Sequence, residues 1–211
     1  MSDLERPVER SRDLERFITF IDAIVAIAIT LLVLPLAELA NEIGDAGNTA
    51  HVLSEHRAEL WSFVLSFVVI ARLWLIQHRL LSGVIEFDGW LTWLMFIWAF
   101  TIVVLPFPTS LLPQHGSESV TRLLYIGCLI VSAIVLALVS DRLVRHPEYR
   151  SGGHAPRRSV SVASVIVLVG ALALGEAVPA IGLWALLLLY VVDPAADRWD
   201  AWRERRTARL S

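Results

Sequence analysis

From residue 16 to residue 36 the chain reads RFITFIDAIVAIAITLLVLPL, and these residues are the most informative about its fold. This stretch contains one carboxylate, Asp22, and no charged residue from there to its end. An apolar run of about 18 or more residues is long enough to cross the hydrocarbon core of a bilayer as a helix. The stretch therefore predicts a transmembrane helix with an acidic residue near one end.

The rest of the chain has the composition of an integral membrane protein. Of its 211 residues, 56% are hydrophobic and 18% are charged, whereas about 25% of the residues of a soluble domain are charged. Because a spanning segment must satisfy its own backbone groups, these runs predict helices. We therefore expect an all-α membrane protein with six transmembrane helices. The apolar runs lie at about residues 17–37, 60–77, 89–112, 120–140, 160–178 and 180–193.

The distribution of arginine predicts the orientation. All 18 basic residues are arginine, and with six crossings and a cytoplasmic N-terminus fifteen of them lie inside. Only Arg57 and Arg122 lie outside, while Arg72 lies within a span. Cytoplasmic loops are enriched in arginine near span ends, so both termini are expected in the cytoplasm. A single fused fifth span would put the C-terminal arginines on the wrong side. These crossings predict a cytoplasmic N-terminal segment (1–15), a transmembrane domain of six helices (16–194) and an arginine-rich cytoplasmic tail (195–211).

The first helix carries an apolar stripe. Ile27, Leu31 and Leu34 are spaced i, i+4 and i+7, which puts them on one helix face. Thr30 lies at the edge of that face, and Pro35 leaves the Leu31 carbonyl without a helical donor. Such a stripe contacts lipid, packs against other helices or lines a pore, and periodicity alone does not distinguish these roles.

Asp22 is the more informative residue of this helix. A carboxylate within a span usually faces protein or water, although near the helix N-terminus it also complements the helix dipole. The second span, which contains ARLWLIQHRLL, offers Arg72, Trp74 and His78 at similar depth. We expect His78 to hydrogen-bond Asp22 and tie the two helices together.

Several motifs follow one another between about residues 16 and 112. In chain order they are Arg16, Phe20 and Asp22; AIAITLLVLP from Ala26 to Pro35; Trp74, His78 and Arg79; Asp88; and LPFPTSLL at 105–112. In these motifs the first half of the chain resembles the lysosomal potassium channel family of the transmembrane protein 175 type. Beyond residue 112 only the layout of spans agrees with that family.

The resemblance implies a function and an assembly. A single six-helix repeat implies a homotetramer in a bacterial cell membrane, each chain with three identical partner subunits, and the first helix of each chain lining a central pore for K⁺. It implies a constriction formed by Ile27, Leu31 and Leu34, with Thr30 taking part in selectivity. It also implies a network that anchors the first helix, made of Arg16, Phe20, Asp22, Trp74 and His78. Two positions depart from the family: Ile21 replaces a serine, and Met95 replaces a frequent asparagine.

Other function classes have less support in the sequence. The chain lacks a TVGYG-like loop, so a carbonyl filter is not expected. A secondary transporter is the main alternative, but its usual internal repeats and mid-membrane breaks are not evident. An enzyme is not expected, because the histidines lack metal-ligand spacing and no nucleophile or phosphate motif occurs. We expect no cofactor, no metal site and no nucleic-acid partner; the expected partners are the lipid bilayer and monovalent cations.

Overall fold

The computed structural model describes residues 5–38 and 49–151, and within these ranges the chain is helical apart from short connections. The helices, in chain order, are α1 (Glu5–Leu31), α2 (34–38), α3 (Thr49–Glu55), α4 (Arg57–Leu81), α5 (Gly89–Val104), α6 (Pro106–His115) and α7 (Ser119–Arg145), followed by a 3-10 turn (Pro147–Tyr149).

Four stretches are long and apolar enough to cross a membrane: Arg12–Glu38, Arg57–Leu81, Gly89–His115 and Ser119–Arg145. Each contains one of the first four apolar runs, so the prediction of an all-α membrane protein is confirmed for this part of the chain. The predicted runs 160–178 and 180–193, and with them the sixfold crossing, lie outside the described residues.

The helices extend beyond the apolar runs that predicted them. α4 begins three residues before its run and ends four residues after it, and α7 continues to Arg145. The helix can continue through polar residues at the ends of a span, because their backbone groups stay hydrogen-bonded within the helix while their side chains reach water. The third span consists of α5 and α6, which meet at Leu105. This residue keeps helical torsion angles (φ −54°, ψ −38°), and Pro106 occupies the first position of α6, where no N–H is needed.

The core lies between the helices, with α7 packed most extensively against α5. Trp98 and Ile102 of α5 and Tyr125 and Leu129 of α7 are fully buried. Large apolar side chains on the outer surface, such as Phe100, are exposed. This distribution suits a bilayer, since lipid tails are as apolar as leucine and exert no drive to bury such groups.

The tryptophans separate into distinct environments. Trp61, Trp90 and Trp93 are exposed on the helix surfaces, whereas Trp98 is fully buried. Trp74 is half-buried and makes a hydrogen bond described below.

One end of the bundle is closed by two paired loops, 82–88 and 146–151. Ile85 donates a backbone hydrogen bond of 2.8 Å to Tyr149, and Ser151 donates one of 3.0 Å to Gly83. Gly83 has a positive φ of 80°, which glycine adopts without steric cost. We call this the loop-pair end. The part of α1 around Phe17 lies at this end, as the contact between the rings of Phe17 and Phe87 shows; the opposite end, where α1 is followed by α2, is called the α2 end.

Candidate functional site

α1 has two distinct faces within the protomer. Ile21, Val25, Ala28 and Leu32 are at most 2% exposed and recur every three or four residues. They form the stripe by which α1 packs against the other described helices, chiefly α5 and α4. Because this stripe faces the other helices, the opposite side of α1 faces away from the protomer.

The three residues of the predicted constriction lie on the side that turns away. Ile27 is 60% exposed, Leu31 38% and Leu34 57%. Thr30 lies on the same exposed side. The structure thus brings these four residues together as one outward-facing surface, which we call the α1 face.

The backbone changes course at the α2 end of this face. α1 ends at Leu31, after which Leu32 and Val33 donate to the carbonyls three residues earlier, at 3.3 and 3.2 Å. Helical structure resumes at residue 34. Pro35 has no N–H and therefore cannot donate to the Leu31 carbonyl. The Thr30 hydroxyl donates to the carbonyl of Ile27 at 2.7 Å, so its oxygen keeps lone pairs that can accept.

Asp22 is held by α4. The indole Nε1 of Trp74 donates a hydrogen bond of 2.8 Å to Oδ1 of Asp22. The ring of His78, one helical turn further along α4, lies 5.3 Å from the Trp74 ring between centroids. The sequence predicted His78 as the partner of Asp22; here Trp74 is the donor to this carboxylate and His78 packs on Trp74. Arg72 lies half-buried on the same helix.

The other two members of the predicted network are placed differently. Arg16 is exposed near the loop-pair end. Phe20 is half-exposed, and its ring lies 6.4 Å from that of Phe96 on α5, which also meets Phe17 at 5.4 Å. Phe20 therefore belongs to an aromatic contact between α1 and α5. The structure does not bring Arg16 into the hydrogen bond between Asp22 and Trp74.

The two departures from the family pattern both fall in the core. Ile21 and Met95 are fully buried and belong to the same hydrophobic cluster. Apolar side chains at both positions replace the polar groups that the family pattern would put there. In this protein the packing of α1 at that level is consequently apolar, with Asp22 and Trp74 supplying the polar contact beside it.

An ion pair at the loop-pair end was not predicted. Asp88 caps α5 by accepting from the Leu91 backbone N–H at 2.8 Å. Its other oxygen accepts from Nη2 of Arg142 at 2.6 Å and from the Tyr149 hydroxyl at 3.5 Å. Partial burial alone would raise the pKa of Asp88, but the Leu91 amide and the Arg142 guanidinium outweigh it and hold the pKa below its usual value. An aspartate directly before an apolar helix was the available signal for the cap.

A buried hydrogen-bonded cluster joins three spans in the half of the bundle toward the α2 end. The Ser66 hydroxyl on α4 lies 3.0 Å from the Tyr125 hydroxyl on α7. Thr109 of α6 lies 2.9 Å from the Ser66 hydroxyl and 2.8 Å from the Leu105 carbonyl. No sequence pattern singled out Ser66 or Tyr125, which sit on apolar helices where only packing is expected. Thr109 lies within the LPFPTSLL motif, which assigned it no role.

The chain is similar to known potassium channels. The family model of the endosomal/lysosomal potassium channel TMEM175 matches residues 16–106. A potassium channel of Streptomyces collinus is 28% identical over 119 residues, 56% of this chain and 56% of that protein. A potassium channel of Chamaesiphon minutus is 30% identical over 138 residues, 61% of this chain and 68% of that protein. The alignments thus span little more than half of the first relative and about two thirds of the second.

The fold is also shared with a solved channel. The crystal structure of a lysosomal potassium-selective channel TMEM175 homolog from Chamaesiphon minutus matches with a TM-score of 0.71 at 23% identity. The match covers 86% of this chain and 96% of that one. Together with the 30% identity to the Chamaesiphon channel, these findings confirm the resemblance seen in the sequence: the chain belongs to the endosomal/lysosomal potassium channel TMEM175 family, a family of ion channels.

Proposed function

We propose that this protein conducts K⁺ across the membrane as a homotetramer whose central pore is lined by α1. The main observation in support of this proposal is the α1 face. It is an uncharged, outward-facing surface on a helix whose opposite side is fully buried in its own protomer. Membership of an ion-channel family, with both relatives described as potassium channels, supports this role. A fourfold arrangement gives each α1 face three identical neighbours across a common axis.

Ile27, Leu31 and Leu34 form the constriction of this pore. Four copies of each side chain make apolar rings, which gate by dewetting and set how much water an ion must shed. K⁺ holds its hydration shell more loosely than Na⁺, so a narrow apolar neck favours K⁺. Selectivity of this kind needs no carbonyl filter, in keeping with the lack of a TVGYG-like loop in the sequence.

Two oxygen atoms near the neck assist a partly dehydrated ion. The Leu31 carbonyl has lost its helical donor through Pro35, and the Thr30 hydroxyl oxygen retains lone pairs although its hydrogen is donated to Ile27. Both lie where α1 gives way to α2. They are weak neutral ligands, which suits an ion that must leave as readily as it enters.

The hydrogen bond between Asp22 and Trp74 keeps α1 in position against α4. A pore helix without such a contact would be held in its protomer mainly by apolar packing, which tolerates rotation and sliding better than a directional bond. Asp22 lies on the half-buried side of the helix. It acts as an anchor first, and attracts cations only secondarily.

The orientation follows from the arginines. Arg12, Arg16, Arg79, Arg142, Arg145 and Arg150 lie toward the loop-pair end, and Arg57 and Arg122 toward the α2 end. Arginine near span ends marks the cytoplasmic side. The loop-pair end therefore faces the cytoplasm of a bacterial cell, with residues 1–15 and 195–211 on that side and the α2 end outside.

Flux from proteoliposomes tests the proposal. Vesicles loaded with potassium or sodium salt and placed in an impermeant salt should release K⁺ passively and faster than Na⁺. The flux should grow in proportion to the gradient and need no coupled ion. Flux that requires a second ion gradient would assign the chain to the secondary transporters instead.

Leu31→Ala tests the neck itself. Shortening this side chain widens the constriction, so we expect a higher conductance and a weaker preference for K⁺ over Na⁺. Leu138→Ala on α7 is the matched control, because Leu138 is similarly exposed (45% against 38%) on a helix away from the α1 face. Equal effects of the two substitutions, or none from either, would show that the α1 face contacts lipid.

A further inference from the structure

A cleft of about 630 Å³ opens at the α2 end, beside the α1 face. It lies between the end of α1, α2, the first turns of α4, and α6. Ligand sites in proteins commonly have volumes of about 300 to 1,000 Å³ and combine apolar walls with a few polar groups. The lining residues that matter for its chemistry are Leu31, Leu34, Glu38, Glu59, Phe63 and Phe107.

Two carboxylates line the cleft. They belong to Glu38 and Glu59; the imidazole of His56 also lines it, and neither of the two arginines near this end does. Arg57 instead donates to the Ser54 carbonyl at 3.0 Å, and Arg122 donates to the carbonyls of Gly116 and Ser117. Glu59 is only 20% exposed in its side chain, with Nδ1 of His56 3.4 Å from Oε1. A half-buried carboxylate has lost part of its hydration and gains from a cation nearby.

The apolar part of the cleft favours an organic cation over a hydrated inorganic one. Phe63 is half-buried and Phe107 is exposed at 61%, and both line the cleft together with Leu31 and Leu34. Aromatic rings attract a cation within about 6 Å of their centroid, and they attract weakly hydrated quaternary ammonium groups in particular. Alkyl arms on such a cation bury apolar surface against leucine and proline.

We propose that this cleft binds small organic cations with apolar arms, of the tetraalkylammonium class. The carboxylates of Glu38 and Glu59 supply the charge, the phenylalanine rings receive the cationic centre, and the leucines receive the arms. Leu31 and Leu34 belong to both the cleft and the α1 face, so an occupant contacts the helix that lines the pore. This link to conduction rests on the proposed function, whereas the binding itself does not.

Binding of tetrabutylammonium to the purified full-length protein tests the proposal. Titration calorimetry at pH 8 should give one saturable site per chain in detergent and in lipid nanodiscs. Glu38→Gln and Glu59→Gln should each weaken the affinity about fivefold, as expected for one partly screened charge. Glu55→Gln is the matched control: this glutamate lies near the same end, pairs with His51 at 3.3 Å and does not line the cleft.

Two further variants keep the test independent of folding. Phe63→Leu should weaken binding by removing a ring from the wall, whereas Phe100→Leu, a ring outside the cleft, should not. Elution volume and thermal unfolding establish that each variant is folded. Equal weakening by Glu55→Gln, or unchanged affinity in both cleft glutamine variants, overturns the proposal, because binding is then general surface attraction.

Other occupants of the cleft give other results. A lipid acyl chain would abolish binding in nanodiscs while leaving it in detergent, and would appear as density in an electron cryomicroscopy map. Segment 39–48, which follows Glu38, would compete from within the chain, and replacing it with a glycine–serine linker would then strengthen binding by more than tenfold. Either result overturns the assignment to an organic cation.

Flux separates this proposal from the channel assignment. With both correct, tetrabutylammonium lowers K⁺ flux in the wild type, and Glu59→Gln shifts the half-inhibiting concentration by the same factor as the binding affinity. Saturable binding without any change in flux leaves the cleft assignment standing and argues against Leu31 and Leu34 as the constriction. Normal K⁺ flux without binding overturns the cleft assignment alone.

Discussion

The indole of Trp74 on α4 donates a hydrogen bond of 2.8 Å to the carboxylate of Asp22 on α1. This bond joins the helix that carries the α1 face to its neighbour, at a level where the surrounding contacts of Ile21 and Met95 are apolar. An unpaired carboxylate in such surroundings is costly. The bond is consequently a place where small changes of side chain should have measurable effects.

Trp74→Phe should lower the free energy of unfolding by about 1 to 3 kcal/mol, because the ring remains while the donor to a partly buried carboxylate is lost. Asp22→Asn should cost less, since the amide oxygen still accepts from the indole. Trp93→Phe serves as control, its ring being 68% exposed on α5. Unfolding in graded denaturing detergent measures the three variants. A Trp74→Phe variant as stable as Trp93→Phe would show that the bond adds no stability.

The ion pair between Asp88 and Arg142 predicts a dependence of stability on pH. The pKa of Asp88 lies below its usual value in the folded protein, so the pair stabilises the fold above the ordinary aspartate range. That contribution is lost as the pH falls through the lowered folded-state pKa. We expect the stability difference between wild type and Asp88→Asn to be constant from pH 7 to about 5, and to vanish on further acidification. Thermal unfolding at a series of pH values measures this difference.

Two controls separate the parts of this site. Asp88→Ala should be less stable than Asp88→Asn by about 1 kcal/mol, because asparagine still caps α5 whereas alanine does not. Asp141→Asn removes an i, i+4 pair with Arg145 and should cost no more than about 0.5 kcal/mol. A difference between wild type and Asp88→Asn that persists unchanged at pH 3 would contradict the role of the carboxylate charge.

The buried cluster of Ser66, Thr109 and Tyr125 should behave as one unit. Tyr125→Phe and Ser66→Ala should each destabilise the fold by about 1 kcal/mol. The double variant should cost less than the two together by about 0.5 kcal/mol or more, because both changes remove the same contact. Ser62→Ala is the control, since its hydroxyl bonds only within α4, to the Glu59 carbonyl at 2.9 Å. Strict additivity in unfolding measurements would argue that the hydroxyls do not interact.

Hydropathy predicted the four described spans because an apolar run of that length has few other stable environments. The second span offers Trp74 and His78 at a depth in the membrane similar to that of Asp22, which likewise predicted that Asp22 would meet α4. The shared depth did not identify the donor, because Trp74 and His78 lie one turn apart on the same side of α4, and only side-chain packing decides between them. The pairing of Asp88 with Arg142 spans 54 positions, and no local pattern encodes it. The α1 face stays ambiguous for a chemical reason: a pore wall and a lipid-facing wall use the same side chains.

Ile27→Asn resolves that ambiguity most directly. In a narrow neck the amide holds water where isoleucine excludes it, so the dewetting barrier falls. We expect single-channel K⁺ conductance to rise and the bi-ionic K⁺/Na⁺ reversal potential to move toward zero. Val131→Asn, which exposes an amide at a similarly accessible site on α7 (45% against 60%), should leave both quantities unchanged if the protein folds. An Ile27→Asn channel that folds, conducts and selects like the wild type would place Ile27 outside the permeation path.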